Sequence, residues 1–499
     1  MNYGNLLPKR YIMKRFLYIL FSTVVLTSVQ VSAGNIDVIR TGAAGDGKTD
    51  DTQAIQTAVD RCAESGGGTV TIPPGTYLTR PVEMRSGVRL HIETGATLFG
   101  STELTDYGNA FPIPDGNRNQ TSGLIWGRGL HDIAVTGGGT INGRGEHINF
   151  QHGNDSEGGP KRPKLIYFVE CERVEISGLT LRNSAYWVQH YEKCRDVTIR
   201  GLRIYSHCNH NNDGIDIDAA NVLISDCLID VEDDAICLKS DHETFCENVI
   251  ITNCYTASNC NAIKLGTASN GGFRNIAVSN CVIAHASEDN IRHWSRHIAN
   301  ISADKTVISG IAVEMTDGGI IDGITFSNIS MRDVQTPIFI KLGDRKRTYR
   351  NAPGILRNVS IRGITAIVES LIPSSITGIP GTMVENISLS DIQITCLGGG
   401  TRAMAERDVP ERAGKYPENR MFGHDLPAVA FYVRHARGMH FDNIRVTVLK
   451  PDARPLFRLD DAHNIHIDRS QPTNMTPENF LHSTESDNIW IDGKIQDDI

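Results

Sequence analysis

The chain has few aromatic residues and no run of basic residues. Phe, Trp and Tyr together make up 6% of the 499 residues, and the formal net charge is −9. An acidic balance without a basic patch argues against a nucleic-acid partner. Glycine is frequent, with 47 residues, and this composition suits many short strands and tight turns better than helical bundles.

Long apolar runs are missing beyond the N-terminus. From Met13, Lys14-Arg15 precede an apolar run over residues 16–29, and small residues follow at 31–33. A charged start, an apolar run and a small-residue end are the marks of a secretory signal peptide. We therefore predict a signal peptide over residues 1–33, a true start at Met13 and export to the periplasm or the cell exterior. No later stretch approaches the roughly 18–20 apolar residues of a membrane anchor.

Short strand-like runs ending in Asn or Asp recur along the chain. Three copies begin at Val222, Val249 and Ile276, 27 residues apart, and related runs extend from residue 133 to residue 491. Each run alternates apolar and polar residues, which is the period of a strand. Repeats of about 20–30 residues predict an all-β chain folded as a parallel β-helix. The alternative, a propeller, would need blades of about 40–45 residues.

One helix is predicted, as a cap on the exposed end of the coil. Asp50 and Gln53 have the spacing of a capping box, and one apolar face follows, made of Ala54, Ile55, Ala58, Val59 and Cys62. We assign residues 34–110 to the N-terminal cap and first coils, and 111–495 to the catalytic β-helix. Insertions near 286–306 and 396–426 lack the repeat and are expected to flank the binding face.

Two acidic motifs lie one repeat apart. Asp213 in Asn-Asn-Asp-Gly precedes Asp233 and Asp234 by 20 and 21 residues, so stacked coils would gather the three carboxylates at one place. Neighbouring carboxylates have raised pKa values, and glycoside hydrolysis needs one protonated acid and one ionised base. The same cluster is also compatible with a calcium site or with acidic side chains that cap turns.

These motifs resemble those of glycoside hydrolase family 28, the polygalacturonase and rhamnogalacturonase group. Residues 42–56 and 90–101 are similar to the start of the pectate-lyase-like superfamily, and residues 211–216 and 233–234 resemble the acidic motifs of the family. The resemblance implies a single-stranded right-handed β-helix and an inverting hydrolase that needs no metal or cofactor. Its substrates would be α-linked galacturonic-acid or rhamnogalacturonan-type bonds in pectic polysaccharides and oligosaccharides.

By the same resemblance, Asp233 corresponds to the general acid, whereas Asp213 and Asp234 activate water. The family His falls on Asn261, which cannot change charge near neutral pH. His207 and His210 are candidate substitutes. We expect the enzyme to be a monomer whose partner is the pectic chain.

The family's Arg-Ile-Lys motif, which grips a substrate carboxylate, is replaced by residues 310–314, including Ala312 and Glu314. A second register would retain Arg292. Arg345 and Arg347 are further cations nearby. The departure favours exo action on a less common pectic linkage. The predicted substrate-binding residues are Asn211, Asp216, Lys239, Asn261, Lys264, Arg292 and Lys341.

Two other functions remain open from the sequence. A polysaccharide lyase on the same fold would need a cation such as Ca²⁺ and a basic residue, for which Lys239 or Lys264 could serve. A β-helix that binds carbohydrate without catalysis would not depend on Asp233. Insensitivity to EDTA and saturated products would distinguish the hydrolase from the lyase.

Overall fold

A computed structural model describes residues 34–108, 122–150, 162–288, 301–302, 305–347, 353–423 and 425–496. The predicted signal peptide, Arg292 and most of the 286–306 insertion lie outside these ranges. The described residues all belong to one compact unit that begins at Ala33. Within them, no helix has the length and apolar character needed to cross a bilayer.

Strands dominate the described chain. In chain order they are β1 Gly34–Asp37, β2 Asp46–Asp50, β3 Gly68–Ile72, β4 Gly75–Thr79, β5 Val82–Glu83, β6 Val88–Ile92, β7 Ala96–Gly100, β8 Gly123–Arg128, β9 His131–Gly137, β10 Thr140–Asn142, β11 Lys164–Val169, β12 Glu172–Ser177, β13 Thr180–Arg182, β14 Gln189–Arg200, β15 Arg203–Ser206, β16 Ile215–Ser225, β17 Leu228–Val231, β18 Ile236–Ser240, β19 Cys246–Thr252, β20 Tyr255–Ser258, β21 Asn261–Ser269, β22 Gly272–His285, β23 Val307–Met315, β24 Ile320–Leu342, β25 Ile355–Val368, β26 Ser374–Thr377, β27 Val384–Gly398, β28 Phe431–Lys450, β29 Phe457–Asp468, β30 Gln471–Thr473, β31 Leu481–Thr484, β32 Asp487–Ile491 and β33 Lys494–Ile495.

Helices are few and short. The α-helices are α1 Thr52–Glu64 and α2 Arg402–Ala405, and single 3-10 turns occupy Val38–Thr41, Leu104–Tyr107, Ile148–Phe150 and Pro477–Asn479.

Apart from the antiparallel pair β32 and β33, the strands pair in parallel with the strands one coil before and after them, and these pairings follow three faces of the coil. This arrangement confirms the right-handed parallel β-helix and shows that the propeller alternative is wrong. We call one of the three the front sheet, since it carries the acidic motifs. It consists of β5, β8, β11, β18, β21, β23, β26 and β31 together with segments of β14, β16, β24, β28 and β29.

Helix α1 packs its apolar face against the first coils. Ile55, Ala58, Val59 and Cys62 are buried, as predicted. The predicted capping box is wrong, because the helix begins two residues after Asp50 and the carboxylate of Asp50 instead accepts from the Thr52 amide at 3.1 Å. The residue before the helix, Asp51, also forms no side-chain cap.

Asparagines stack at one of the turns in successive coils. Asn221, Asn248 and Asn275 have φ values of 58°, 56° and 54°, a left-handed conformation that asparagine adopts more readily than most residues. Their side-chain amides bond from coil to coil, Asn248 to Asn221 at 2.8 Å and Asn275 to Asn248 at 2.7 Å. The recurring Asn of the sequence repeat therefore fixes both the turn and the register of the coils.

Register on the front sheet decides which side chains meet. Along one outward row, Asp216 pairs with Cys237, Cys237 with Lys264, and Lys264 with Ala312. Adjacent strands lie about 4.8 Å apart, so residues of one row can contact their neighbours. The row beside it, Ile217, Leu238, Leu265 and Val313, faces the apolar interior and is fully buried.

Candidate active site

Three aspartates meet at the entry to two front-sheet strands. Asp213 lies just before β16, and Asp233 and Asp234 lie just before β18. The two loops are joined because the Gly214 amide donates to the Asp234 carbonyl at 2.9 Å. A carboxylate oxygen of Asp234 lies within 4.8 Å of an oxygen of Asp213. A carboxylate oxygen of Asp234 also lies within 4.8 Å of an oxygen of Asp233. All three side chains are buried, so the structure brings together the residues that the repeat spacing predicted.

Asparagines hold the first of these loops in place. Asn212 is buried and donates to the carbonyls of Ser184 at 2.8 Å and Tyr186 at 2.9 Å in the preceding coil. Asn211 adopts a φ of 58°, and its side chain donates to Oδ2 of Asp233 at 3.4 Å. The predicted site residue Asn211 therefore contacts one of the aspartates directly.

Asp234 is surrounded by donors. Nζ of Lys264 lies 3.0 Å from its Oδ2, and Nδ2 of Asn261 donates to its Oδ1 at 2.8 Å. The backbone amide of Asn261 also donates to Oδ1, at 3.2 Å. Burial alone would raise the pKa of Asp234, but the charges of Lys264 and Lys239 and the bond from Asn261 lower it below its usual value. Asp234 is therefore ionised across the neutral range.

Asp233 has the opposite balance. It receives the Asp234 amide on Oδ1 at 2.9 Å, but no ammonium group within salt-bridge distance is described. Burial and the neighbouring charge of Asp234 raise the pKa of Asp233 to about 6. Two adjacent carboxyl groups thus differ in pKa, as a general acid and a general base require.

Asp213 and Asp216 share the second lysine. Nζ of Lys239 lies 3.0 Å from Oδ1 of Asp216 and 3.7 Å from Oδ2 of Asp213, and 4.4 Å from the centre of the Trp187 ring. Burial, followed by the charge of Asp216, raises the pKa of Asp213 well above its usual value. Burial raises the pKa of Asp216 to about 7 against the opposing effect of Lys239.

Two residues at the site were not predicted as binding residues. Glu314 on β23 is fully buried, accepts from Thr267 at 2.7 Å and lies 3.9 Å from Nζ of Lys264. Burial raises its pKa to about 7. Tyr416 is exposed, and its hydroxyl accepts from Lys264 at 3.2 Å. The signal for Tyr416 was the 396–426 insertion, which carries it to the site.

The same insertion covers the front sheet beyond Lys264. Asn419 is buried and donates to the Ile308 carbonyl at 2.7 Å and to the Thr336 hydroxyl at 3.0 Å. A separate apolar cluster forms below it, made of Phe422, Leu426, Ala428 and Tyr432. The next outward residues of the sheet after Lys264, Ala312 and Phe339, are fully buried.

Other predicted residues lie elsewhere. Lys341 is not with the aspartates, because its buried ammonium group turns away from them and donates to the Gly378 carbonyl at 3.0 Å. Arg345 pairs with Asp317 at 2.8 Å. Ala312 pairs with Lys264 on the next strand of the front sheet. Arg292 lies outside the described residues.

The two candidate histidines occupy different places. Nε2 of His207 lies 2.9 Å from Asp230, on the neighbouring sheet rather than at the aspartates. One ring nitrogen of His210 lies within 4.8 Å of a carboxylate oxygen of Asp233. Of the two, His210 is the one placed to affect Asp233.

Three groups of side chains have atoms close enough to share a metal ion: His210–Glu232–Asp233, Asp213–Asp234–Cys237 and Asp233–Asp234–Cys260. Calcium takes six to eight oxygen ligands, whereas two of these groups include a thiol. Ammonium groups also lie beside carboxylates of these groups, with Nζ of Lys264 3.0 Å from Oδ2 of Asp234 and Nζ of Lys239 3.7 Å from Oδ2 of Asp213. The donor set therefore fits the Ca²⁺ of a lyase poorly.

Comparisons with known proteins identify the family of the chain. The model of glycosyl hydrolases family 28 matches residues 62–413. A probable polygalacturonase of Vitis vinifera is 30% identical over 226 residues, which are 43% of this chain and 46% of that protein. An exopolygalacturonase of Zea mays is 28% identical over 212 residues, 41% of this chain and 48% of that protein. The chain spans about half the length of these plant relatives.

Solved structures share the fold. The family 28 exopolygalacturonase of Yersinia enterocolitica covers 93% of this chain and 80% of its own, with a TM-score of 0.63 and 20% identity. The match to the exopolygalacturonase of Thermotoga maritima covers 74% of this chain and 88% of that protein, with a TM-score of 0.60 and 22% identity. The family match extends over most of the β-helix and includes all three aspartates. The chain belongs to glycosyl hydrolases family 28.

Proposed function

We propose that this protein is an exported, exo-acting, inverting glycoside hydrolase. Its substrates are pectic oligosaccharides and polysaccharides with α-linked galacturonic-acid or rhamnogalacturonan-type bonds, and the protein acts as a monomer without a metal or cofactor. The observation that carries the proposal is the difference between adjacent carboxyl groups. Lys264 and Asn261 keep Asp234 ionised, while burial beside that charge raises the pKa of Asp233 to about 6.

In this mechanism Asp233 is the general acid. Its proton is transferred to the glycosidic oxygen as the bond to the anomeric carbon breaks. Asp234 is the general base that accepts a proton from the attacking water. The fixed ammonium group of Lys264, 3.0 Å away, holds the base in its ionised form before the reaction begins.

Asp213 assists with the water in this proposal. Its Oδ1 atom is buried and has no hydrogen-bond partner among the described residues, and an oxygen of Asp213 lies within 4.8 Å of one of Asp234. Burial and the charge of Asp216 raise the pKa of Asp213 well above its usual value, whereas the pKa of Asp234 is lowered. We assign it to orienting the water and Asp234 to accepting the proton.

Exo action is supported by the covered end of the front sheet. Tyr416 contacts Lys264, and Asn419 lies over the strands that follow. A long polymer cannot continue along that end of the sheet, because the segment 396–426 occupies it. The bound chain then presents one terminal sugar to the aspartates, and one sugar is released per hydrolysis event.

Product analysis on a panel of pectic oligosaccharides tests the proposal. Wild type and Asp233→Asn are compared with and without EDTA. We expect a saturated monosaccharide from the wild type, equal amounts in EDTA and none from the variant. Mixed oligomers early in digestion would contradict exo action, whereas unsaturated products that absorb in the ultraviolet would establish a lyase instead. An absence of product from every substrate would leave a carbohydrate-binding β-helix.

A further inference from the structure

We propose that the sugar ring bound beside Lys239 and Lys264 carries no carboxylate: it is a neutral residue such as a deoxyhexose or pentose, not a uronic acid. The inference rests on the proposed function and narrows its substrate. Three observations support it. The two ammonium groups already have partners, the next residues of the front sheet after Lys264 are apolar, and the cluster has more carboxyl groups than cations.

Two of the donors of Lys264 are already used in hydrogen bonds, and a further carboxylate oxygen lies nearby. An ammonium group carries three N–H bonds, and three oxygen atoms surround Nζ of Lys264. They are Oδ2 of Asp234 at 3.0 Å, the Tyr416 hydroxyl at 3.2 Å and Oε2 of Glu314 at 3.9 Å. A substrate carboxylate that displaced Asp234 from Lys264 would separate the base from the ammonium group that keeps it ionised.

The ammonium group of Lys239 also has close partners already. Its Nζ lies 3.0 Å from Oδ1 of Asp216, 3.2 Å from Sγ of Cys237 and 3.7 Å from Oδ2 of Asp213. The side chains of Asp216 and Cys237 are fully buried. Releasing Lys239 to a ligand would leave the buried charge of Asp216 uncompensated, which is costly inside a protein.

Four other described cations already have partners. Arg345 is paired with Asp317, and Lys341 donates to the Gly378 carbonyl. Arg162 donates to the Ala185 carbonyl at 3.0 Å and to Oδ1 of Asn211 at 3.3 Å. Nζ of Lys164 lies 3.9 Å from the centre of the Tyr167 ring.

The strand that follows Lys264 adds no cation. Ala312 pairs with Lys264, and Phe339 pairs with Ala312 on the next strand. Both are fully buried apolar residues. The two strands after β21 therefore place no cation next to Lys264 in this row of the front sheet.

The cluster also has more carboxyl groups than cations. Five buried acids surround the two lysines, namely Asp213, Asp216, Asp233, Asp234 and Glu314. The pKa values of Asp216 and Glu314 are both raised to about 7, which means that the folded site binds protons to limit its negative charge. A ligand carboxylate would add to that charge. A neutral ring would not, and its apolar face could stack on the exposed ring of Tyr416.

Matched substrates test the inference. One oligosaccharide ends in an α-linked galacturonosyl residue, a second is the same molecule with that carboxyl group reduced to the alcohol, and a third ends in an α-linked rhamnosyl residue. We expect kcat/KM for the better of the two neutral-ended substrates to exceed that for the galacturonosyl-ended one by at least about tenfold. Preference for the uronate would overturn the inference and leave the proposed hydrolase standing. No cleavage of any substrate would overturn both.

The variant Glu314→Gln tests whether the charge of the cluster causes the preference for a neutral sugar. It removes one acid of the cluster, and its amide oxygen can still accept from Thr267. We expect the ratio of kcat/KM for the uronate-ended substrate to that for the neutral one to rise at least about fivefold. The exposed Glu243→Gln makes the same chemical change away from the site and should leave the ratio unaltered. An unchanged ratio in a Glu314→Gln protein with wild-type Tm would contradict the charge argument.

Discussion

The ammonium group of Lys264 lies 3.0 Å from Oδ2 of Asp234, and both side chains are almost completely buried. Lys264 is on β21 and Asp234 lies one coil earlier, so the contact depends on the register of the β-helix. The contact holds Asp234 ionised beside Asp233, which has a raised pKa. The difference in protonation on which the proposed hydrolysis depends therefore comes from one ion pair between coils.

Replacing Lys264 should shift the pH dependence of activity. In Lys264→Met the pKa of Asp234 loses the charge that lowers it and rises, so the base is ionised only at higher pH. We expect the acidic limb of kcat/KM to move to higher pH by about one unit or more. Lys264→Arg keeps the charge and should keep the limb near its wild-type position. A Met variant with an unshifted limb would show that Asp234 is not the base.

Removing the acid should abolish turnover while preserving the fold. Asp233→Asn retains the shape of the side chain but cannot supply a proton, so kcat should fall by about 10²–10⁴, with a Tm close to that of the wild type. Asp226→Asn is the matched control, because Asp226 is an exposed turn residue whose counterparts one and two coils later are Asn253 and Asn280. Loss of activity in the control, or retention in Asp233→Asn, would refute the assignment.

The basic limb of the pH profile of kcat/KM for the wild type should reflect the ionisation of Asp233. The general acid must be protonated, and its pKa is about 6. We expect kcat/KM to decline as pH rises above about 6, with the free enzyme as the titrating species. A profile that stays flat up to pH 9 would be inconsistent with a carboxylic acid as the proton donor.

Stability should fall with rising pH, in part because of Asp218. This side chain is buried, and burial together with the charge of Asp241 raises its pKa to about 8. Because the folded protein binds the proton of Asp218 more tightly than the unfolded chain does, this proton stabilises the fold. The contribution is complete below the unfolded pKa near 4 and is lost as pH rises through the folded pKa of about 8. Asp218→Asn cannot ionise, so its free energy of unfolding should change less between pH 5 and pH 9, by roughly a few kcal/mol. Replacing the exposed Asp391 by Asn should leave the change in the free energy of unfolding between pH 5 and pH 9 as it is in the wild type. The same change in Asp218→Asn as in the wild type would contradict this account.

The stereochemistry of the first product can be read by proton NMR. Inverting enzymes usually separate their carboxyl groups by about 6.5–9.5 Å, whereas oxygen atoms of Asp233 and Asp234 approach within 4.8 Å. The prediction of inversion therefore rests on the family and not on this spacing. We expect an α-linked substrate to give the β-anomer first, before mutarotation mixes the two forms. An initial α-anomer would show a retaining reaction.

The repeat made most of the fold and the aspartate cluster predictable. A strand-like run of fixed length implies stacked coils, and residues one repeat apart must then meet, as Asp213 and Asp234 do. Lys239 and Lys264 were also accessible to this argument, because they lie on repeat strands. Short-range spacing was less reliable, since the Asp50–Gln53 pattern did not form a capping box.

The remaining features depend on segments without a repeat or on the direction that a side chain takes from its strand. Tyr416 reaches Lys264 from 152 residues further along the chain, and nothing in its local sequence specifies that contact. The side chain of Lys341 lies on a repeat strand but turns towards Gly378, because a lysine has several rotatable bonds and the strand period does not determine its direction. Glu314 could be placed on its strand from the register, but its neutralising contact with Lys264 required the position of both strands.

The ladder of Asn221, Asn248 and Asn275 joins each coil to its immediate neighbours alone. In such one-dimensional stacks, disruption propagates from coil to coil and is easiest where a coil has only one neighbour. Helix α1 covers the first coils, whereas the last turn of chain is a short antiparallel pair, β32 with β33. The aspartates lie in the middle of the stack, on coils with neighbours on both sides. Heating should therefore fray the C-terminal coils while the central coils, and the chemistry they hold, are still intact.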